Sequence, residues 1–155
     1  MSTETRDDRD EWAPVIGRLF IAFGAIESIT HQCLKEWLSD PIYNDLKKSR
    51  LSFRLDLLES LLVSKEYTDE DKSNCLNIFP KIKNLASVRN LVAHNPLELV
   101  LFVEEGGVFQ EIMIPSVDPS KELELEELKK KVDEVEALAS DFSLSVAPFG
   151  IVSSW

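Results

Sequence analysis

One uninterrupted amphipathic stretch constrains the fold of this chain more than any other feature. Between Pro14 and Pro41, apolar residues recur at intervals of three and four, the spacing of one face of an α-helix. Pro14 suits the first turn of a helix, and the helix should end before Pro41 because proline breaks a helix interior. The residues of this face are Ile16, Leu19, Phe20, Phe23, Ile26, Thr30, Cys33, Leu34, Trp37 and Leu38. The sequence therefore predicts one long helix with an apolar face to be covered by others.

The middle of the chain predicts two more helices. A leucine-rich row, with Leu51, Leu55, Leu58 and Leu62 on one face, predicts a second helix over residues 43–64. Thr68 with Asp71 three residues later resembles a capping box, which marks a helix start. The apolar stripe that follows continues to about residue 95, and Pro80 must kink this third helix or divide it in two.

The C-terminal third changes its pattern twice. Residues 99–104 and 108–114 are β-prone runs around Gly106-Gly107, which predicts a hairpin that needs other elements, or another chain, against it. Asp118-Pro119 predicts the start of the last helix, and its apolar seam suits antiparallel packing. We expect a single, mainly α domain over residues 1–155: an antiparallel bundle of four to five helices, a β-hairpin inserted at residues 99–114 and an apolar tail at residues 143–155. That tail should dock on its own domain, or alternatively cover a partner subunit.

Composition limits the function classes. The N-terminus is charged, without the apolar core of a signal peptide, and no apolar run suggests a membrane span, so a cytoplasmic protein is expected. Cys33 and Cys75 lie in helical patterns and predict reduced core residues. Two cysteines and two histidines show no ligand spacing, so we expect neither a metal nor a cofactor.

The net charge of −11 argues against a general nucleic-acid binder, but the charge is unevenly distributed. Residues 45–95 carry a net charge of +2, and the rest of the chain carries −13. Basic residues of the second helix, Lys47, Lys48, Arg50 and Arg54, have two interpretations: a solvated face whose aliphatic stems cover the core edge, or an edge that contacts phosphate. The acidic ends could likewise be solvated surface, or could exclude bulk nucleic acid while a small basic cleft admits one strand.

Residues 87–97, SVRNLVAHNPL, hold most of the polar chemistry. Asn95 precedes Pro96, a position that disfavours α geometry, so His94 should lie in the last helical turn. Asn90 and His94 are four residues apart and share one face, with Arg89 on the neighbouring shoulder. Arg89 suits a phosphate oxygen pair, His94 suits proton transfer at neutral pH, and Asn90 can orient the imidazole or bind substrate.

These groups include no nucleophile, so the reaction that fits is one in which the substrate supplies it. RNA does so through its 2′-hydroxyl, and cleavage then needs a base, an acid and a positive group for the phosphorane charge, without a metal. One helix offers a single histidine, whereas two copies across a two-fold axis offer two histidines and two arginines. A homodimer is therefore expected.

The segment RNLVAH, Arg89 to His94, resembles the R-x4-6-H motif of the HEPN superfamily, in its form with a polar residue directly after the arginine. The leading helix with FGAIES and the leucine-rich LSFRLDLLESLL are also similar to many members, over roughly residues 12–97. The resemblance implies a helical bundle and a metal-independent endoribonuclease, usually dimeric and often a toxin or defence effector. By position it implies that Arg89 and His94 are catalytic and that Asn90 supports them. Some members instead pair with a nucleotidyltransferase or act as binding scaffolds.

Other interpretations of the same residues stay open. Glu27, at the edge of the first apolar face, could be solvent-exposed or could pair with Arg89 as a supporting residue. A purely structural role is also open, with Arg89 paired to Glu27 and His94 capping helix carbonyls. His31 is expected at the surface or core edge, outside any site. The acidity and the apolar tail favour the alternative function, a non-catalytic dimeric helical interaction module that partners a nucleotidyltransferase or another regulator; under the toxin interpretation the expected partner is an antitoxin or a nucleotidyltransferase.

Overall fold

The computed structural model describes residues 9–102, 108–113, 122–153 and 155, which form six α-helices and a small antiparallel sheet. In chain order these are α1 (Arg9–Trp37), α2 (Asp40–Leu46), α3 (Leu51–Ser64), α4 (Asp69–Leu76), α5 (Phe79–His94), β1 (Leu97–Phe102), β2 (Val108–Met113), β3 (Leu123–Glu124) and α6 (Leu125–Val146), followed by a 3-10 turn, Ala147–Phe149. The expectation of a mainly helical protein with a β-hairpin is confirmed.

Helix α1 is the central element of the core. Leu19, Ile26, Ile29 and Leu34 on its inner face are fully buried among the other helices. By length and composition α1 could also span a membrane. In this fold residues such as Leu19 and Ile26 pack against other helices, whereas Phe20 and Ile21 stay exposed.

The second predicted helix is two helices, so its single span over residues 43–64 is wrong. Helix α2 ends at Leu46 and α3 begins at Leu51. The guanidinium of Arg54 donates hydrogen bonds to the carbonyls of Ser49, at 2.7 Å, and Lys47, at 3.5 Å. Those carbonyls lie in the break between the helices, where they lack the backbone N–H partners that a continuous helix would provide. The Arg54 side chain, one turn into α3, donates to them instead.

The third predicted helix divides at the proline, as the sequence allows. Thr68 caps α4, accepting a hydrogen bond from the Asp71 backbone N–H at 3.2 Å. Helix α5 then starts at Phe79 with Pro80 in its first turn, where the missing N–H has no helical partner to lose.

Helices α1 and α6 run in the same direction, so the antiparallel expectation is wrong for this pair. Arg18 in the first half of α1 pairs with Asp133 and Glu136 near the middle of α6. Trp37 at the end of α1 stacks on Phe149, just after α6. The α6 seam is apolar enough for either direction, and the long connection through the sheet lets the chain return before α6 starts.

The sheet has the order β1-β2-β3, with both pairs antiparallel. Leu97 pairs with Met113 and Phe102 with Val108, close to the predicted hairpin; Gly106-Gly107 lies outside the described residues. The third strand was not expected, because Leu123 and Glu124 fall within the predicted last helix. That helix begins instead at Leu125, and the predicted start at Asp118-Pro119 lies outside the described residues.

Much of the predicted apolar tail packs on its own domain. Its first four residues, 143–146, complete α6. Phe149 and Ile151 are buried, and the ring centroids of Phe149 and Tyr67 are 4.4 Å apart. Trp155 remains 44% exposed, so the end of the chain leaves an indole at the surface.

Candidate active site

The end of α5 presents the RNLVAH segment. The backbone of Asn95 is extended, with φ −125° and ψ 145°, which confirms that α5 ends at His94 ahead of Pro96. The side-chain amide of Asn95 donates to the Leu91 carbonyl at 2.8 Å and so closes the last turn. Among the described residues His94 itself makes no hydrogen bond or ion pair, and its imidazole is exposed. The carbonyl-capping role considered for His94 therefore falls to Asn95.

Arg89, Asn90 and His94 open onto one cleft of about 710 Å³, formed by α1, α3, α5 and the connection before α3. Its lining contains four cationic side chains against one carboxylate, in a protein whose net charge is −11. The lining residues are Glu27, Ser49, Arg50, Leu51, Ser52, Arg54, Leu55, Lys83, Ala86, Ser87, Arg89, Asn90 and His94. The cleft is thus a local positive site on an acidic surface, suited to an anionic ligand.

Glu27 and Arg89 form an ion pair within this cleft. Arg89 Nη1 donates to Glu27 Oε1 at 2.6 Å, so of the two interpretations left open for Glu27 the structure shows the pairing. The Arg89 guanidinium also lies 5.2 Å from the centre of the Phe23 ring, within cation–π range. Its Nη2 donates a long hydrogen bond of 3.4 Å to the Asn90 side-chain oxygen. The guanidinium is therefore held on two sides, and its side chain retains 22% exposure towards the cleft.

Arg54 supplies a second cation to the same carboxylate. Its Nη2 lies 3.3 Å from Glu27 Oε2, and its side chain is only 6% exposed. The buried Nε of Arg54 has no hydrogen-bond partner among the described residues. Arg54 therefore lines the cleft mainly as part of its wall, with most of its donors directed into protein.

The other basic residues of the predicted phosphate edge separate into two groups. Arg50 lines the cleft and is exposed, whereas Lys47 and Lys48 are exposed at the end of α2 and are not among the lining residues. The Lys47 ammonium donates to the side chain of Asn44.

Sequence reasoning missed four polar residues of the cleft, Ser49, Ser52, Lys83 and Ser87. Positions 83, 87, 90 and 94 are spaced four, three and four, which places them on one helical face. That spacing was a usable signal in the sequence. The Lys83 ammonium is paired with Asp56 at the rim of the cleft.

The remaining nucleophilic and titratable candidates lie elsewhere. Burial raises the pKa of the Cys75 thiol to about 11 and raises the pKa of Cys33 further, so both buried thiols are protonated at neutral pH. His31 is part-buried against Tyr43, whose hydroxyl lies 3.1 Å from Nδ1. Burial, followed by the nearby charge of Arg54, lowers the pKa of His31 below its usual value. His31 does not line the cleft.

The arrangement provides a positive fork, an exposed imidazole and an amide on one wall. Of the three serines that line the cleft, Ser49 and Ser87 donate their hydroxyls to backbone carbonyls of Leu46 and Asn84. Within the part of the chain that the structure describes, no group of three or more His, Cys, Asp or Glu side chains is placed to hold a metal ion. Comparisons of the chain with family models, curated proteins and solved structures gave no significant match.

Proposed function

We propose that this protein is a metal-independent endoribonuclease of the HEPN type, with a HEPN-like bundle formed by its helices. The observation that carries the proposal is the common cleft: Arg89, Asn90 and His94 line it together, and its charge is positive while the protein is acidic. A phosphodiester strand fits that charge, and RNA carries its own nucleophile in the 2′-hydroxyl.

In the proposed reaction, a 2′-hydroxyl attacks the adjacent phosphorus as a base removes its proton. The bond from phosphorus to the 5′-oxygen breaks, and an acid protonates the leaving oxygen. The products are a 2′,3′-cyclic phosphate and a 5′-hydroxyl. His94 carries out proton transfer, because its imidazole is exposed, lines the cleft and can both donate and accept a proton. Arg89 stabilises the charge that develops on the phosphorane oxygens, and Asn90 holds substrate or the imidazole.

A single His94 cannot conveniently serve both proton transfers at once. We therefore propose a homodimer whose two-fold axis brings a second His94 and Arg89 to the same strand. We further propose that the protein acts in the cytoplasm as a toxin or defence effector, with an antitoxin or a nucleotidyltransferase as a possible regulator.

The test is cleavage of single-stranded RNA by purified protein in the presence of a metal chelator. Wild-type protein should cleave, and His94→Ala should abolish cleavage while its circular dichroism and melting temperature stay unchanged. His31→Gln is the matched control, because it alters the other histidine, which lies outside the cleft, and it should cleave at the wild-type rate. Cleavage that survives His94→Ala would overturn the proposal.

A non-catalytic interaction module is the second candidate. It is favoured by large apolar side chains that stay exposed on the described surface, including Ile21 at 62% and Val152 at 87%. This alternative predicts no RNA turnover by the wild-type protein, together with a stable complex formed with a nucleotidyltransferase or another regulator. RNA turnover that depends on His94 would exclude it as the main function.

A further inference from the structure

The carboxylate of Glu27, which lines the cleft, is shared by the guanidiniums of Arg89 and Arg54. Glu27 Oε1 accepts from Arg89 at 2.6 Å, and Glu27 Oε2 lies 3.3 Å from Arg54. Two positive charges against one negative charge leave the group with a net positive charge. An anion entering the cleft can therefore complete the charge balance without displacing either arginine.

The two arginines differ in how firmly they are fixed. Arg54 is 5% exposed and also donates to the carbonyls of Ser49 and Lys47, so its position is set by the break between α2 and α3. Its planar fork allows little movement once these bonds are made. Arg54 is therefore fixed in position, and its hydrogen bond to Oε2 restrains the Glu27 carboxylate.

Arg89 is the adjustable member. It is more exposed than Arg54, and besides Glu27 its described contacts are the Phe23 ring face and a long hydrogen bond to Asn90. Donors on its outer side can therefore turn towards a ligand while Glu27 keeps hold of Nη1. Arg54 therefore positions Glu27, and Glu27 in turn positions Arg89.

We propose that Arg54 and Glu27 are positioning residues for Arg89, and that Glu27 competes with a phosphodiester anion for the Arg89 guanidinium. This inference rests on the proposed function for its substrate class, single-stranded RNA. Glu27 fixes the angle at which Arg89 meets the phosphate, which serves the reaction. The same carboxylate repels the phosphate, which weakens binding. Glu27 thus orients Arg89 and at the same time lowers the affinity of the cleft for the strand.

The first test separates affinity from turnover. A single-stranded DNA oligonucleotide has no 2′-hydroxyl and cannot be cleaved by the proposed reaction, so it reports binding alone. Glu27→Gln should bind it about tenfold more tightly in fluorescence anisotropy, because a like charge a few ångströms from the phosphate is removed. The same variant should lower kcat on RNA about tenfold.

Glu136→Gln is the matched control, since it also removes one negative charge and pairs with Arg18 on another part of the molecule. Its binding and its kcat should stay within twofold of wild type. Unchanged or weaker oligonucleotide binding by Glu27→Gln would overturn the inference, as would an equal gain in the control.

The second test asks whether Arg54 acts through Glu27. Arg54→Met keeps an apolar stem in the buried site and should lower kcat about tenfold in the wild-type background. In the Glu27→Gln background the same change should alter kcat less than twofold, because the intermediary is already lost. If the kcat losses of Arg54→Met and Glu27→Gln were additive in the double variant, Arg54 would not act through Glu27.

If Arg54→Met does not fold, Arg54→Lys keeps the charge and loses the fork. The side-chain Nε–Hε signal of Arg89 should then shift and broaden in NMR spectra; an unchanged signal would overturn the inference. These readouts distinguish the two proposals. RNA that is not cleaved by wild-type protein overturns the ribonuclease, whereas DNA binding and the Arg89 signal still test the role of Glu27.

Discussion

Glu27 and Arg89 lie 62 residues apart in the chain, and their side chains meet at 2.6 Å where α1 passes the end of α5. Both side chains are partly exposed, and ion pairs of that kind contribute at most about 1 kcal/mol to folding. The main effect of the pair is therefore on the direction of the Arg89 guanidinium at the cleft. The site depends on this long-range contact as much as on the local RNLVAH segment.

Replacing Arg89 by lysine tests the need for a planar fork. Arg89→Lys keeps the charge but cannot present two parallel donors, so RNA cleavage should fall about 100-fold, within the range for loss of a transition-state donor. Arg18→Lys is the control, because Arg18 forms a comparable forked pair with Glu136 outside the cleft. Wild-type activity in Arg89→Lys would remove Arg89 from the reaction.

His31 predicts a pH dependence of stability. Its pKa in the folded protein is lowered from 6.5, by burial first and the charge of Arg54 second, and opposed by Glu27. The unfolded chain then binds the proton more readily, so this contribution is present above about pH 6.5 and is lost as the pH falls towards the lowered value. Between pH 7.5 and 5.5, wild type should lose more free energy of unfolding in urea than His31→Gln loses. Equal losses would contradict the assignment.

Two glycines should respond in opposite directions to the same substitution. Gly24 lies exposed within α1, and a Cβ there would meet no atom within 4 Å, so Gly24→Ala should stabilise the protein by about 0.5–1 kcal/mol. Gly150 has φ +78°, a left-handed conformation that disfavours a side chain, so Gly150→Ala should destabilise it by about 1 kcal/mol. Urea denaturation measures both, and a shared sign would contradict the backbone argument.

The core between α5 and α6 depends on an aromatic pair. Phe142 is fully buried, and its ring meets Phe79 edge to face at a centroid distance of 5.8 Å. Phe142→Ala should lower the free energy of unfolding by about 3–5 kcal/mol through lost burial and the cavity left behind. Leu144→Ala, two residues away and 72% exposed, should change it by less than about 0.5 kcal/mol.

Local patterns were sufficient for several features of the fold and site. The division of the third predicted helix at Pro80, the Thr68 cap and the end of α5 at His94 follow from chemistry within a few residues; the cap and the end were predicted, and the division was one of two outcomes allowed for Pro80. The pairing of Glu27 with Arg89 was also accessible, because each charged residue stood out beside an otherwise apolar helix face. These are cases in which local preference and the final packing agree.

The features of the fold that sequence reasoning missed leave no periodic pattern in the sequence. The break before α3 is stabilised by Arg54, and a leucine-rich pattern gives no sign that an arginine will turn back to the carbonyls of Lys47 and Ser49. The two-residue strand β3 is too short to show a period. The shared direction of α1 and α6 is set by the connection between them, since an apolar seam is compatible with either direction.

The most direct test of the ribonuclease is the chemistry of its products. Single-stranded RNA should be incubated with the protein in excess chelator, beside the same RNA carrying one 2′-deoxynucleotide at the main cleavage site, and the fragments identified by mass spectrometry. We expect a 2′,3′-cyclic phosphate and a 5′-hydroxyl at the cut ends of the first RNA, and no cleavage at the substituted position in the second. A 3′-hydroxyl at the newly cut end, or cleavage at the 2′-deoxy position, would contradict the proposed reaction.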